Sequence, residues 1–148
     1  MNAVVADASV AVKWVAEEEH SAQAADILRY EAIHAPAHWL AEAVNALWAK
    51  AARGDLPPEA AAIRAAALRQ APVRPAPLAD LVDPALALSL ALGVTVYDSL
   101  YIALAQALGV AFVTADVRLF RKVSPHLPGG LVRWIGDPEA RVSPAEPA

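Results

Sequence analysis

Asp7 in VVADAS, Glu42 in LAEAVNAL, Asp98 in VTVYDSLYIALA and Asp116 in AFVTADVRLF are acidic residues set in apolar surroundings. Three of them close short β-branched or apolar runs, and the fourth lies inside an amphipathic helix pattern. A fold that gathers strand ends on one rim brings all of them together, where their like charges repel. A divalent cation relieves that repulsion. Donors that are all carboxylate oxygens suit a hard ion, Mg²⁺ or Mn²⁺.

Each aspartate alone also has a simpler role, because an Asp at the end of a strand accepts amides as the N-cap of the next helix. Glu42 does not fit that role. It is expected mid-helix between Ala41 and Ala43, on a segment whose other face is Leu40, Val44 and Leu47. Taken together the acids therefore favour a site over a set of caps. Ser9 and Thr114 stand two positions from Asp7 and Asp116, within reach of the carboxylates, although turn residues would look the same. Ser99 is equally suited to capping its helix.

Other chemistries are excluded. No cysteine is present, which removes disulfides, thiolate zinc sites and a cysteine nucleophile. His34 and His38 are separated by Pro36, so one helix face does not present both, and HExxH, P-loop, GxGxxG and GxSxG motifs are all missing. A net charge of −4 gives no general attraction to phosphate, so any contact of that kind must use a local basic patch. No apolar run reaches the roughly 18 residues of a membrane span. The aspartate in the N-terminal apolar stretch argues against a signal peptide, and a cytoplasmic protein is expected.

The elements that position these residues alternate. The pattern predicts strands at 3–7, 33–36, 94–97 and 111–114, and helices at 21–30, 38–53, 55–69, 84–92, 99–108 and 117–122. Gly54, Gly93 and Gly109 are expected to end three of the helices. The segment PVRPAPL holds two internal prolines, so as a strand it belongs at a sheet edge. Residues 84–116 read as one unit given twice, helix, glycine, strand and acid, each delivering an aspartate at a strand C-terminus. Such alternation implies right-handed crossovers and a parallel sheet, with ligands at the C-terminal rim. Residues 131–135 could add a last strand. The domain is expected to span 1–135, with 136–148 as a flexible tail.

The four segments VVADASVAVKW, LAEAVNALW, VYDSLYIALA and FVTADVRLF, in this order and at these intervals, resemble a PIN-domain ribonuclease, most closely the toxin half of VapBC-type toxin–antitoxin pairs. The resemblance covers residues 2–124. It implies an α/β/α sandwich on a parallel sheet of about five strands in the order 3-2-1-4-5, which puts PVRPAPL at an edge as its prolines independently require. It also implies Mg²⁺- or Mn²⁺-dependent cleavage of RNA, a homodimer, and a small cognate antitoxin. Asp7 and Asp98, read as the ends of neighbouring strands, are the first metal ligands, and Asp116 and Glu42 complete the site. Asn45 becomes a polar group lining it, while Lys13, Arg118, Arg121 and Lys122 become candidates for the RNA backbone, or else a solvated face. Many members carry a further acid where this chain has Leu119, Phe120 and Arg121, which weakens the case for a second metal ion. Two rival readings stay open: an RNA-processing nuclease without an antitoxin, and a catalytically silent binding module of the same fold.

Overall fold

The computed structural model describes residues 2–138. Its parallel sheet is built from β1 (Ala3–Ala6), β2 (Ala32–Pro36), β3 (Val73–Ala76), β4 (Phe112–Thr114) and β5 (Val132–Trp134), in the order β3-β2-β1-β4-β5. Between β1 and β2 run α1 (Ala8–Ala11), a 3-10 turn at Val12–Trp14, and α2 (Ser21–Ile27). α3 (Trp39–Ala52) and α4 (Pro58–Arg69) join β2 to β3. α5 (Val82–Leu92) and α6 (Val96–Leu108) join β3 to β4, and α7 (Val117–Val123) joins β4 to β5.

The sheet is apolar on both sides, as a parallel sheet covered by helices must be. Alternation along β1 sends Val5 into a core shared with Ala43 and Leu47 of α3, Tyr101 of α6 and Phe112 of β4. Val4 and Ala6 face the opposite core, against Ala24 and Ile27 of α2. Tyr101 and Phe112 are fully buried and stacked, with ring centroids 5.4 Å apart. The register sets Val5 beside both His34 and Phe112, so β1 is central and its C-terminal end opens onto the middle of the rim. β3 pairs only with β2, the edge position that its Pro75 demands.

The strand expected at 94–97 does not form. Gly93 closes α5 in the left-handed region at φ 69°, and Thr95 then accepts the amide of Asp98 as the cap of α6. The run Val94-Thr95-Val96 looked β-like by composition, but Thr95-Val96-Tyr97-Asp98 is a capping sequence that starts a helix. The repeated unit therefore occurs once. Asp98 lies in the first turn of α6, not at a strand end, and α6 begins at Val96 instead of Ser99. Strands four and five are Phe112–Thr114 and Val132–Trp134, so the expected order holds with residues 131–135 supplying the edge strand.

The buried side of α3 is Trp39, Ala43 and Leu47. Val44, expected on the apolar face, is 37% exposed, and with Trp48, 65% exposed, it borders the groove between α3 and α4. Of the expected tail only residues 136–138 are described, with the Asp137 amide donating to Trp134; the rest lies outside the described residues. Among the described residues, no single helix is long and apolar enough to cross a membrane. α5 and α6 meet that measure only as a pair, bent by 115° at Gly93–Thr95.

Candidate active site

Asp7 leaves the C-terminal end of β1 and Asp116 follows β4, the strand beside it. Asp7 is 7% exposed. Its Oδ2 accepts a 2.6 Å hydrogen bond from the hydroxyl of Thr114, which is itself buried. The same Thr114 oxygen accepts the amide of Asp116 at 3.0 Å, so one threonine links the turns after both strands. Ser9 Oγ accepts the Ala115 amide at 3.0 Å, fastening the first turn of α1 to the second loop. Burial pushes the Asp7 carboxyl up to about 6 from 3.8; the hydroxyls of Thr114 and Ser9 oppose the rise, and the charges of Asp98 and Glu42 add to it.

Asp98 is the hub of the acidic group. Burial raises its pKa, as do the charges of Glu42 and Asp116, while the Thr95 hydrogen bond and His38 lower it. Glu42 stands in the first turn of α3 rather than mid-helix. Its Oε1 accepts a 2.7 Å hydrogen bond from Tyr101. Burial and the charges of Asp7 and Glu42 drive the Tyr101 phenol far above its ordinary pKa, which keeps it protonated and a donor. His38 Nε2 lies 3.0 Å from the same Glu42 oxygen. The imidazole is not aligned for a hydrogen bond, and both ring nitrogens are shielded from solvent without a hydrogen-bond partner.

The capping alternative is true of one aspartate. Asp116 Oδ1 accepts the amides of Arg118 and Leu119 at 3.0 and 3.1 Å, whereas the Asp7 side chain caps nothing and Asp98 is itself capped by Thr95. Ser99 is no cap either, since its hydroxyl is buried against Ser89 at 2.8 Å.

Two clefts flank the acids along α3. One, of about 320 Å³, is lined by Ser9, Lys13, Glu18, Lys50, Arg53 and Asp116 among others. Glu18 gathers two of its cations, pairing with Lys50 and, at 3.5 Å, with Lys13, while Arg53 pairs with Asp55 at 3.1 Å. The other is lined by His38, Ala41, Glu42, Asn45 and Tyr97. A third recess, between the α5–α6 turn and α7, brings Arg118 and Lys122 to Asp98 and Asp116. Lys122 Nζ also donates to the Gly93 carbonyl at 2.6 Å. Arg121 is exposed and lines none of these three.

Sequence reasoning passed over Lys50 and Arg53, and weighed His38 only as a metal ligand paired with His34. The signals were present as helical spacing: His38 and Glu42 are four apart, and Lys50 and Arg53 continue the stripe of Glu42, Asn45 and Ala49. Among the described residues, no three Asp, Glu or His side chains are drawn close enough to hold a metal as they stand. The donor chemistry nevertheless fits a hard divalent ion. The charges of Asp98 and Glu42 help raise the Asp7 carboxyl, and those of Glu42 and Asp116 help raise Asp98, which is the repulsion such an ion offsets.

Residues 4–124 match the PIN domain family. The chain is 31% identical over 124 residues to a protein named Ribonuclease VapC3 from Pyrobaculum aerophilum, an alignment that covers 82% of this chain and 95% of that one. The crystal structure of PAE2754 from the same organism superposes with a TM-score of 0.66 at 24% identity, covering 90% of this chain and 92% of the other. That likeness concerns the fold.

Proposed function

Since the chain belongs to the PIN domain family, we propose that it is an endoribonuclease requiring Mg²⁺ or Mn²⁺, and the toxin half of a cytoplasmic toxin–antitoxin pair. The observation that carries this reading is the convergence of four acids from separate elements, Asp7 after β1, Asp116 after β4, and Glu42 and Asp98 in the first turns of α3 and α6. They lie near enough that the charges of Glu42 and Asp98 act on Asp7 and those of Glu42 and Asp116 on Asp98. Similarity to Ribonuclease VapC3 supports RNA as the substrate, and the resemblance to VapBC toxins supports the antitoxin.

Asp7 and Asp98 would hold the ion, with Glu42 and Asp116 completing the shell or orienting the attacking water. When bound, the ion supplies a more acidic water and offsets charge on the phosphoryl oxygens. The chain's own residues do the positioning. Thr114 and Ser9 fix Asp7, Tyr101 and His38 confine one oxygen of Glu42, and Asn45 lines the adjoining cleft. Lys13, Lys50, Arg118 and Lys122 stand where a phosphate backbone would pass, an arrangement that serves RNA despite the net charge of −4.

A homodimer has a suitable face: Val82, Leu86 and Leu90 recur every four residues along α5 and are 42%, 51% and 79% exposed. An antitoxin would inhibit by laying an Arg or Lys across the carboxylates, since a guanidinium pairs with them and stays charged. The test is cleavage of RNA by the purified chain with and without EDTA, beside Asp98→Asn. Metal-dependent cleavage lost in the folded variant is expected; equal cleavage by both would remove the assignment. Growth arrest on induced expression, relieved by Asp7→Asn, checks the toxin role.

A further inference from the structure

Tyr97 is 65% exposed although it stands in the first turn of α6, beside Asp98. A tyrosine ring left in water forgoes the burial for which so large a side chain is ordinarily used. The ring faces the imidazole of His38, with centroids 6.0 Å apart and planes inclined by 42°. Between Tyr97 and α3 lies an open cleft of about 370 Å³, whose other walls are His38, Ala41, Glu42 and Asn45. Those four follow the i, i+3, i+4, i+7 spacing of one helix face. Ala41 keeps the space open, Glu42 joins it to the acidic site, and Asn45 brings an exposed amide that both donates and accepts.

A flat occupant with a π face and a hydrogen-bonding edge satisfies these walls together. We propose that this cleft is a nucleobase subsite, in which Tyr97 stacks on the base of a nucleotide flanking the scissile phosphate and Asn45 meets that base's edge. The proposal deepens the ribonuclease reading and rests on it for the position of the phosphate. It also gives the strand a direction. The same stripe of α3 continues through Ala46 and Ala49 to Lys50 and Arg53, which line the cationic cleft. From His38 to Arg53 the helix rises about 22 Å. A single strand along α3 thus has a base held at the Tyr97 end and backbone phosphates met at the Lys50 end, with the carboxylates between. Stacking tolerates any base, so the Asn45 amide is the discriminating group.

The test is equilibrium binding of fluorescein-labelled, mixed-sequence single-stranded RNA oligonucleotides to the full chain carrying Asp7→Asn, so that nothing is cleaved. Adding Tyr97→Ala is expected to weaken binding about tenfold, the loss of one base–aromatic stack, while Tyr97→Phe and Tyr97→Trp bind as the parent does. With an oligonucleotide of defined sequence, a single abasic position should weaken the parent and leave Tyr97→Ala unaffected. On the Asp7 background, Tyr97→Ala should raise KM and spare kcat. Equal RNA affinity of Tyr97→Ala and the parent overturns the subsite. So does a changed sedimentation mass of Tyr97→Ala, which assigns the ring to a protein contact. RNA binding that depends on Tyr97 in a chain that never cleaves would remove the nuclease reading and leave the subsite standing.

Discussion

Asp7 and Asp116 occupy matching places, each in the turn that leaves one of two neighbouring parallel strands for a helix. Their surroundings differ. Asp116 is exposed and accepts the amides of Arg118 and Leu119, so one of its oxygens belongs to helix α7. Asp7 is buried, caps nothing, and is held by the hydroxyl of Thr114. Charge on Asp7 is opposed by burial, to the point of a carboxyl near 6. An aspartate that is costly to ionise and yet oriented by hydroxyls is poised for a cation. Two residues alike in sequence context therefore divide into a helix cap beside the acidic rim and, on the proposed function, a metal ligand.

The largest expected effect separates them by activity. Asp7→Asn keeps volume and an acceptor for Thr114 while removing the charge, and cleavage should fall on the order of a thousandfold, since a bound ion contributes several kcal/mol to the transition state. Asp116→Asn should lose less. Rates on one RNA at saturating Mg²⁺ decide it; equal losses would erase the distinction.

Stability of the metal-free protein should move the other way. The Asp7 carboxyl rises from 3.8 to about 6 on folding, so between those values the folded chain keeps a proton that the unfolded chain has released. Stability then declines as pH climbs through that window and is level above it. Asp98 is shifted in the same direction. Asp7→Asn removes its part of the slope, and in EDTA the variant should be more stable than wild type by up to about 3 kcal/mol at pH 7, with no such gain at pH 4. Added Mg²⁺ or Mn²⁺ should raise the wild-type Tm more at pH 7 than at pH 5, because the ion competes with that proton. Urea melts measure the first and thermal melts the second across this range; a gain that does not depend on pH would mean that Asp7 is ionised without penalty.

How much of this was legible beforehand follows from the reach of each signal. Gly93 and Gly109 could be read as helix ends because a left-handed cap is a local demand, and both have positive φ. β3 could be placed at an edge from its prolines alone. Asp98 falls in the expected neighbourhood for a different reason: β-branched Val94, Thr95 and Val96 suggest a strand, and the four-residue cap from Thr95 to Asp98 has no part in that reading. The stripe of α3 from His38 to Arg53 was hidden differently. Helical spacing shows which side chains share a face, but not that Lys50 and Arg53 meet Lys13 across a cleft, or that Tyr97 lies open beside Asn45. Those are long-range facts, supplied only by packing.

Thr114 offers a sharper cut through the same comparison, because its hydroxyl serves both aspartates. Thr114→Val leaves the Asp116 amide without its acceptor and Asp7 without its donor, and should cost about 2 kcal/mol. The Thr114 bond favours the charged form of Asp7, so its loss should raise that carboxyl further and move metal binding to higher pH. Metal-induced Tm shifts followed against pH would show it; an unmoved profile would mean that the hydroxyl only supports the turn.

The smallest effect tests the cap itself. Asp116→Ala strands the amides of Arg118 and Leu119 at the start of α7, a loss of about 1 kcal/mol, whereas Asp116→Asn retains an acceptor and should melt near wild type. Leu119 and Val123 hold α7 in the core, so the helix persists in either variant and the loss is local. The two substitutions remove the same charge, which lets stability report the cap and cleavage report the charge. If Asn and Ala melt alike, the amides have found water and Asp116 is free to serve the site with both oxygens. If they differ by the expected amount while both depress cleavage, one carboxylate is performing two tasks with different atoms, Oδ1 for the helix and Oδ2 for the rim.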